Sequence, residues 1–307
     1  MKTKALIGLA TAIVAVALLI TCIKSCSGCS CCNVCVCADT CRCDTTKTCN
    51  PSCTCGGETV LDSARIPLNI SVYLDLSDRL IQELTPSQAE RDTSIIMYLA
   101  KKVQDIAVEH KIVGSKEHLK VFFYPAPNDS KVNLCAQQLD MDLAKIKIPK
   151  EKKQLLLSFQ QDFQESLAQI YASALNAGNW AGSDIWGFFN KPVENYCIRE
   201  DNRNVLVILT DGYVYHNANK QQDGNAYTYI LPQTLADPNS SLMVGRKGLE
   251  NLEVLILEIN PKDPKQEPKM ESVLLDWLHA MGVKKAYVGA TDIPANTRAI
   301  IDGFFGF

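Results

Sequence analysis

Within VYLDLSDR, at 72–79, four side chains carry chemistry: Asp75, Ser77, Asp78 and Arg79. An apolar strand that ends in carboxylates, a hydroxyl and a guanidinium either caps a helix or builds a site. Further on, AGSDIWGFF (181–189) places Ser183 in a loop, and VLVILTDG (205–212) ends a second apolar strand on Asp211. Asp75, Ser77 and Asp211 offer oxygen donors only. Magnesium takes such donors in near-octahedral geometry and retains several waters; manganese and calcium accept the same atoms. Singly, each residue has a plainer reading, with Asp75 and Ser77 as caps and Asp211-Gly212 as a turn. Their joint position at the ends of predicted elements favours a shared site.

The elements that must position them alternate along the chain. Strands are predicted at 66–76, 118–126, 204–212, 252–260 and 284–292. Helices are predicted at 86–110, 151–178, 183–197 (interrupted at Pro192), 267–282 and 293–305, and a polar loop joins the second strand to the long helix. In the first helix Ile95, Ile96, Leu99, Val103, Ile106 and Ala107 recur at helical spacing, with Thr85 as expected N-cap and Pro86 at the first helical position. Near-continuous apolar strands between amphipathic helices imply an α/β fold: a doubly wound, mainly parallel sheet covered on both faces. Ligands of such sheets collect beyond the carboxyl ends of the strands, where Asp75 and Asp211 fall.

The three loops, in that order, resemble those of a von Willebrand factor A (VWA) domain. The resemblance spans roughly residues 66–305. It implies a Rossmann-like VWA fold and a metal-ion-dependent adhesion site. Asp75 and Ser77 match the first two positions of that family's Asp-x-Ser-x-Ser loop. Ser183 stands where the family has a threonine, and Asp211 lies within Thr210-Asp211-Gly212. The resemblance further implies bound Mg2+ (or Mn2+ or Ca2+) and a protein partner whose acidic residue completes the metal shell. Arg79 departs from the pattern, since it occupies the third hydroxyl position with a permanent cation. Two outcomes follow: Arg79 swings outward, held by Asp78, and water fills the vacancy, or its guanidinium neutralises Asp75 and Asp211 and no metal binds.

Ahead of this body lies a different kind of chain. Lys2 and Lys4 precede an uncharged apolar run at 5–20, and Leu19-Ile20-Thr21-Cys22 resembles a bacterial lipoprotein signal whose cysteine is acylated. The run is intermediate between a secretory h-region and a spanning helix, so both anchors remain open. Either one places the body outside the cytoplasm, in the cell envelope. Twelve of the fourteen cysteines lie from Cys22 to Cys55, among almost no aliphatics. Such a segment takes order only from cross-links or metal. Its Cys-x-Cys spacing resembles metallothioneins, whereas an exported segment meets oxidising conditions that favour disulfides. The expected organisation is a signal or membrane segment at 1–21, a cysteine-rich stalk at 22–57 and a VWA-like domain at 58–307. Cys135 and Cys197 stand apart in the body and could pair there.

A formal charge of -3 and a pI near 5.9 give no electrostatic reason to expect nucleic acid. The leading expectation is a non-enzymatic, membrane-tethered protein-binding module. A metal-dependent phosphoryl hydrolase at the same aspartates is a second possibility. Against it, Ser77 replaces the second aspartate such phosphatases place two residues on, and no Gly-rich phosphate loop or nucleophile elbow is present. Soft-metal sequestration by the leader is a third. His216 could approach the site rim, with packing or surface as the plainer role. Trp180 and Trp186 flank the second loop, where core packing is the default.

Overall fold

A computed structural model of the chain describes residues 66–126, 128–177, 183–213, 247–261, 263–290 and 292–307, together with the backbone at 222–223 and 226–227. The signal segment, the cysteine-rich stalk, Cys22, Trp180 and His216 lie outside the described residues. The body, Ile66–Phe307, is one compact unit.

The chain runs β1 (Leu68–Leu74), α1 (Gln88–Glu109), β2 (His118–Phe122), α2 (Ser130–Gln138), β3 (Asp140–Asp142), α3 (Pro149–Ala177), α4 (Ile185–Asn190), α5 (Val193–Cys197) and β4 (Arg203–Leu209). A small hairpin follows, β5 (Gln222–Asp223) with β6 (Ala226–Tyr227). Last come β7 (Leu252–Ile259), α6 (Glu267–Ala280), β8 (Lys285–Ala290) and α7 (Pro294–Phe305). The main sheet has six strands in the order β3-β2-β1-β4-β7-β8. All neighbours are parallel except β3, which pairs antiparallel with β2 at the edge. This is a doubly wound, Rossmann-like α/β fold. Its strand order reverses between β1 and β4, the crevice where ligands of such sheets bind.

Alternation along β1 divides the interior. Leu68, Ile70, Val72 and Leu74 enter one core with α1, α3 and α7, while Tyr73 enters the other with Phe122, α4 and α6. In β4 the same rule sends Val205, Val207 and Leu209 to the first core and Leu206 and Ile208 to the second. Burying each such side chain stabilises the fold by roughly 1.5–3 kcal/mol, so the register of these central strands is strongly specified.

Three expectations are corrected. Helix α1 begins at Gln88, with Ser87 as its cap. The Ser87 hydroxyl accepts from the Glu90 amide and the Glu90 carboxylate accepts from the Ser87 amide, a reciprocal box that displaces Thr85 and Pro86 from the cap. The polar loop before the long helix contains α2, started by the Asp129 carboxylate accepting from the Lys131 amide at 2.9 Å, and the edge strand β3. Finally, Cys135 and Cys197 are free, buried thiols: Cys135 belongs to the first core and Cys197 to the second. The sheet separates them.

Candidate metal site at the carboxyl ends of β1 and β4

The β1–β4 ladder continues one bond past the end of β1, with the Asp75 amide donating to the carbonyl of Leu209, the last residue of β4, at 3.1 Å. That bond fixes Asp75 beside the Thr210-Asp211-Gly212 loop. One carboxylate oxygen of Asp75 accepts from the Ser77 amide at 2.9 Å, and the other from the Thr210 hydroxyl at 2.7 Å. Thr210 in turn accepts from the Gly212 amide at 3.2 Å. Asp211 accepts from the Tyr213 amide at 3.1 Å and, weakly, from the Gln82 side-chain amide at 3.4 Å. Gln82 is itself held by Asn260 at 2.6 Å, and the Asn260 amide returns to the Asp211 carbonyl at 3.1 Å.

Gly212 makes this loop possible. Its φ is +94°, and a Cβ there would stand 2.8 Å from Cδ1 of Ile259. The positive φ disfavours any side chain there, and a Cβ would also crowd the side-chain ends of Met270 and Ile259.

Asp75 and Asp211 are 1 % and 6 % exposed. Burial first, and the nearby Asp75 charge second, push the Asp211 carboxyl up to about 7 against opposing effects from the Tyr213 amide and Arg79. Asp75 is also raised by burial, with Arg79, Thr210 and Ser77 pulling the other way. The charge of Asp75 thus disfavours ionisation of its buried neighbour Asp211.

Arg79 does not swing outward, and its charge still acts on Asp75 and Asp211. It is fully buried, and its Nε donates to the Asp75 backbone carbonyl at 2.8 Å. Its terminal nitrogens reach Asp92 on α1, the closer at 2.6 Å. Asp92 also accepts from Gln88 and from Tyr171 on α3, each at 2.9 Å. The outward Arg79 held by Asp78 is therefore corrected: Asp78 is exposed and the guanidinium points inward. The physical reason is that a buried guanidinium needs a buried counter-charge with matching fork geometry, which Asp92 supplies. Arg79 makes its side-chain ion pair with Asp92, while its charge also favours the ionised forms of Asp75 and Asp211.

Ser77 begins the short 3-10 turn at Asp78–Ile81, yet its side chain makes no capping bond. The helix-cap reading of that hydroxyl is thus set aside. Ser183 is held by Tyr73 rather than by the two acids. Its hydroxyl lies 2.8 Å from the Tyr73 hydroxyl, on the strand that delivers Asp75. The neighbouring Asp184 amide donates to the Tyr124 carbonyl at 2.9 Å, and the Asp184 carboxylate caps α4 by accepting from the Gly187 amide at 2.7 Å. Trp186 is half-buried against the second core, the packing role expected of it.

Among the described residues, no three His, Cys, Asp or Glu side chains converge in the manner of a metal centre. Any cation here would depend on hydroxyls as well as on the two acids. The donor set, with the oxygens of Asp75 and Asp211 and a Ser77 hydroxyl that bonds Asp75 rather than capping the turn, is of the kind a hard divalent ion takes. Thr210, Gln82, Asp92 and Tyr73 were not singled out in the sequence, although Tyr73 and Thr210 lie inside the quoted motifs. Asp92 carried no signal, being one acid on a helix.

No protein-family model matches the chain, and no curated protein matches it. Among solved structures, the chain is similar to an aerotolerance-related membrane protein from Bacteroides fragilis carrying multiple mutations to serines. The two share 15 % identity over 78 % of this chain and 100 % of that one, with a TM-score of 0.36.

Proposed function

We propose that the body is a VWA-like protein-binding module whose β1–β4 rim takes a divalent cation. Asp75, Ser77, Ser183 and Asp211 would hold Mg2+, or Mn2+ or Ca2+ in its place, and an acidic side chain of a partner protein would complete its shell. The observation that carries this reading is the placement of two buried acids, Asp75 and Asp211, at the ends of adjacent strands, with Asp75 bonded to Thr210 next to Asp211. When bound, the ion supplies the positive charge that lets a third carboxylate dock there. The chain's own residues set the stage: Arg79 clamps the Asp75 backbone, Thr210 orients its carboxylate, and Gln82 restrains Asp211.

We read the site as non-enzymatic. Ser77 stands where an aspartyl phosphatase places its second aspartate, and the sequence holds no Gly-rich phosphate loop or nucleophile elbow. The apolar run and the lipoprotein-like Cys22 support display of the module from a membrane, outside the cytoplasm. Among the described residues no helix is long and apolar enough to cross one.

Calorimetric titration of the full chain with magnesium tests the reading. One ion per chain is expected, with binding abolished in Asp211→Ala. Partner capture from envelope extracts should be lost in EDTA and restored by magnesium. Capture indifferent to both EDTA and Asp211→Ala would sink the metal-bridged contact.

A further inference from the structure

Tyr73 is buried on β1, two residues before Asp75, and its hydroxyl sits between two oxygens. One is the Tyr124 carbonyl at 2.7 Å and the other the Ser183 hydroxyl at 2.8 Å. A carbonyl can only accept, and a phenol has a single proton to give. The Tyr73 proton therefore goes to Tyr124, and the Tyr73 oxygen must accept from Ser183. That assignment fixes the serine: its proton points at Tyr73, and its lone pairs are left for another electrophile. The Tyr124 carbonyl also accepts from the Asp184 amide at 2.9 Å. A single carbonyl thus ties the second loop to β1 through both residues.

We propose that Tyr73 is a positioning residue for the candidate cation site, holding the Ser183 hydroxyl with its lone pairs directed to the ion. The inference rests on the metal reading given above, and extends it to a buried aromatic with no ligand role of its own. The ring packs against Phe122 and Phe188 at centroid distances of 5.5 and 5.2 Å. Phenylalanine keeps that packing and removes only the hydroxyl.

The test uses the full chain and manganese, a hard ion that thiolates in the leader do not favour. Affinity is read by electron paramagnetic resonance for wild type, Tyr73→Phe, Ser183→Ala and the double variant. Melting temperature and amide exchange are measured without metal. Losing one oriented hydrogen bond should weaken manganese binding roughly five- to tenfold in Tyr73→Phe. The double variant should bind no more weakly than Ser183→Ala alone. In the metal-free protein the Asp184 amide should exchange several-fold faster in Tyr73→Phe, while the Phe188 amide, which donates to the Asp184 carbonyl, stays unchanged. Additive losses in the double variant, with a matching fall in metal-free melting temperature, would mean that Tyr73 serves packing alone and would overturn the inference. So would wild-type affinity in Tyr73→Phe, which leaves the site itself standing. Wild-type protein that takes no manganese overturns the metal reading and this inference together.

Discussion

At the scale of single residues, Arg79 decides the character of the site. Its guanidinium is buried against Asp92, so the pair is best tested by breaking and then mending it. Arg79→Ser restores the hydroxyl that the resembling family has at this position, but strands a buried carboxylate. It should destabilise the body by about 3–5 kcal/mol. Adding Asp92→Asn should recover much of that loss, since the orphaned charge is gone; denaturant melts of the single and double variants give the comparison. Asp211 answers to pH. Its folded pKa, about 7, lies above the ordinary 3.8, so the folded state holds a proton that the unfolded chain releases earlier. Without metal, its contribution to stability is complete below about pH 4 and is lost as pH rises through 7, by at most about 4 kcal/mol. Asp211→Asn should flatten that slope and raise stability above pH 7, as melts across pH 4–8 in EDTA will read out. The placement of Asp75 and Asp211 at neighbouring strand ends was legible in the sequence, because each closes an apolar run. The inward turn of Arg79 was not, because its counter-charge lies on a helix whose pattern announces only packing.

Among the elements, strands and long helices were easiest to read and short polar ones hardest. β1, β4 and β7 are buried on both faces and leave almost unbroken apolar runs. α1 and α3 carry apolar stripes long enough to fix their period. α2 buries only Val132 and Cys135, and β3 is three residues long, so neither repeats a pattern often enough to be recognised. Both are specified by what surrounds them, α2 by the Asp129 cap and β3 by its pairing with β2. The start of α1 was misplaced by two residues because proline at a first helical turn and serine at a cap are both strong signals. The reciprocal Ser87–Glu90 box prevails by satisfying two amides at once. Ser87→Ala should therefore cost about 1 kcal/mol in a denaturant melt, and Thr85→Ala much less. A larger loss at Thr85 would return the cap to that residue.

For the molecule as a whole, the sheet acts as a partition. Its two faces carry separate apolar cores, and the rim where β1 meets β4 is built by loops that draw on both: Asp75 is braced through Arg79 and Asp92 on the α1–α3 side, Ser183 through Tyr73 and Tyr124 on the other. The same partition governs the body's thiols. Cys135 and Cys197 lie on opposite faces, and burial pushes the Cys197 thiol up to about 12, far from the thiolate that disulfide exchange requires. Such thiols stay reduced even in an oxidising compartment, because oxidants must first unfold the body to reach them. Alkylation of the native, unreduced full chain should label neither residue. Alkylation after unfolding in denaturant, still without reductant, should label both, as peptide mass spectrometry will register. A disulfide peptide containing Cys135 or Cys197 would mean that the two faces are not sealed from each other or from the cysteine-rich leader. The complete labelling of both after unfolding would instead leave any disulfides of the leader to be made among its own cysteines or with another chain.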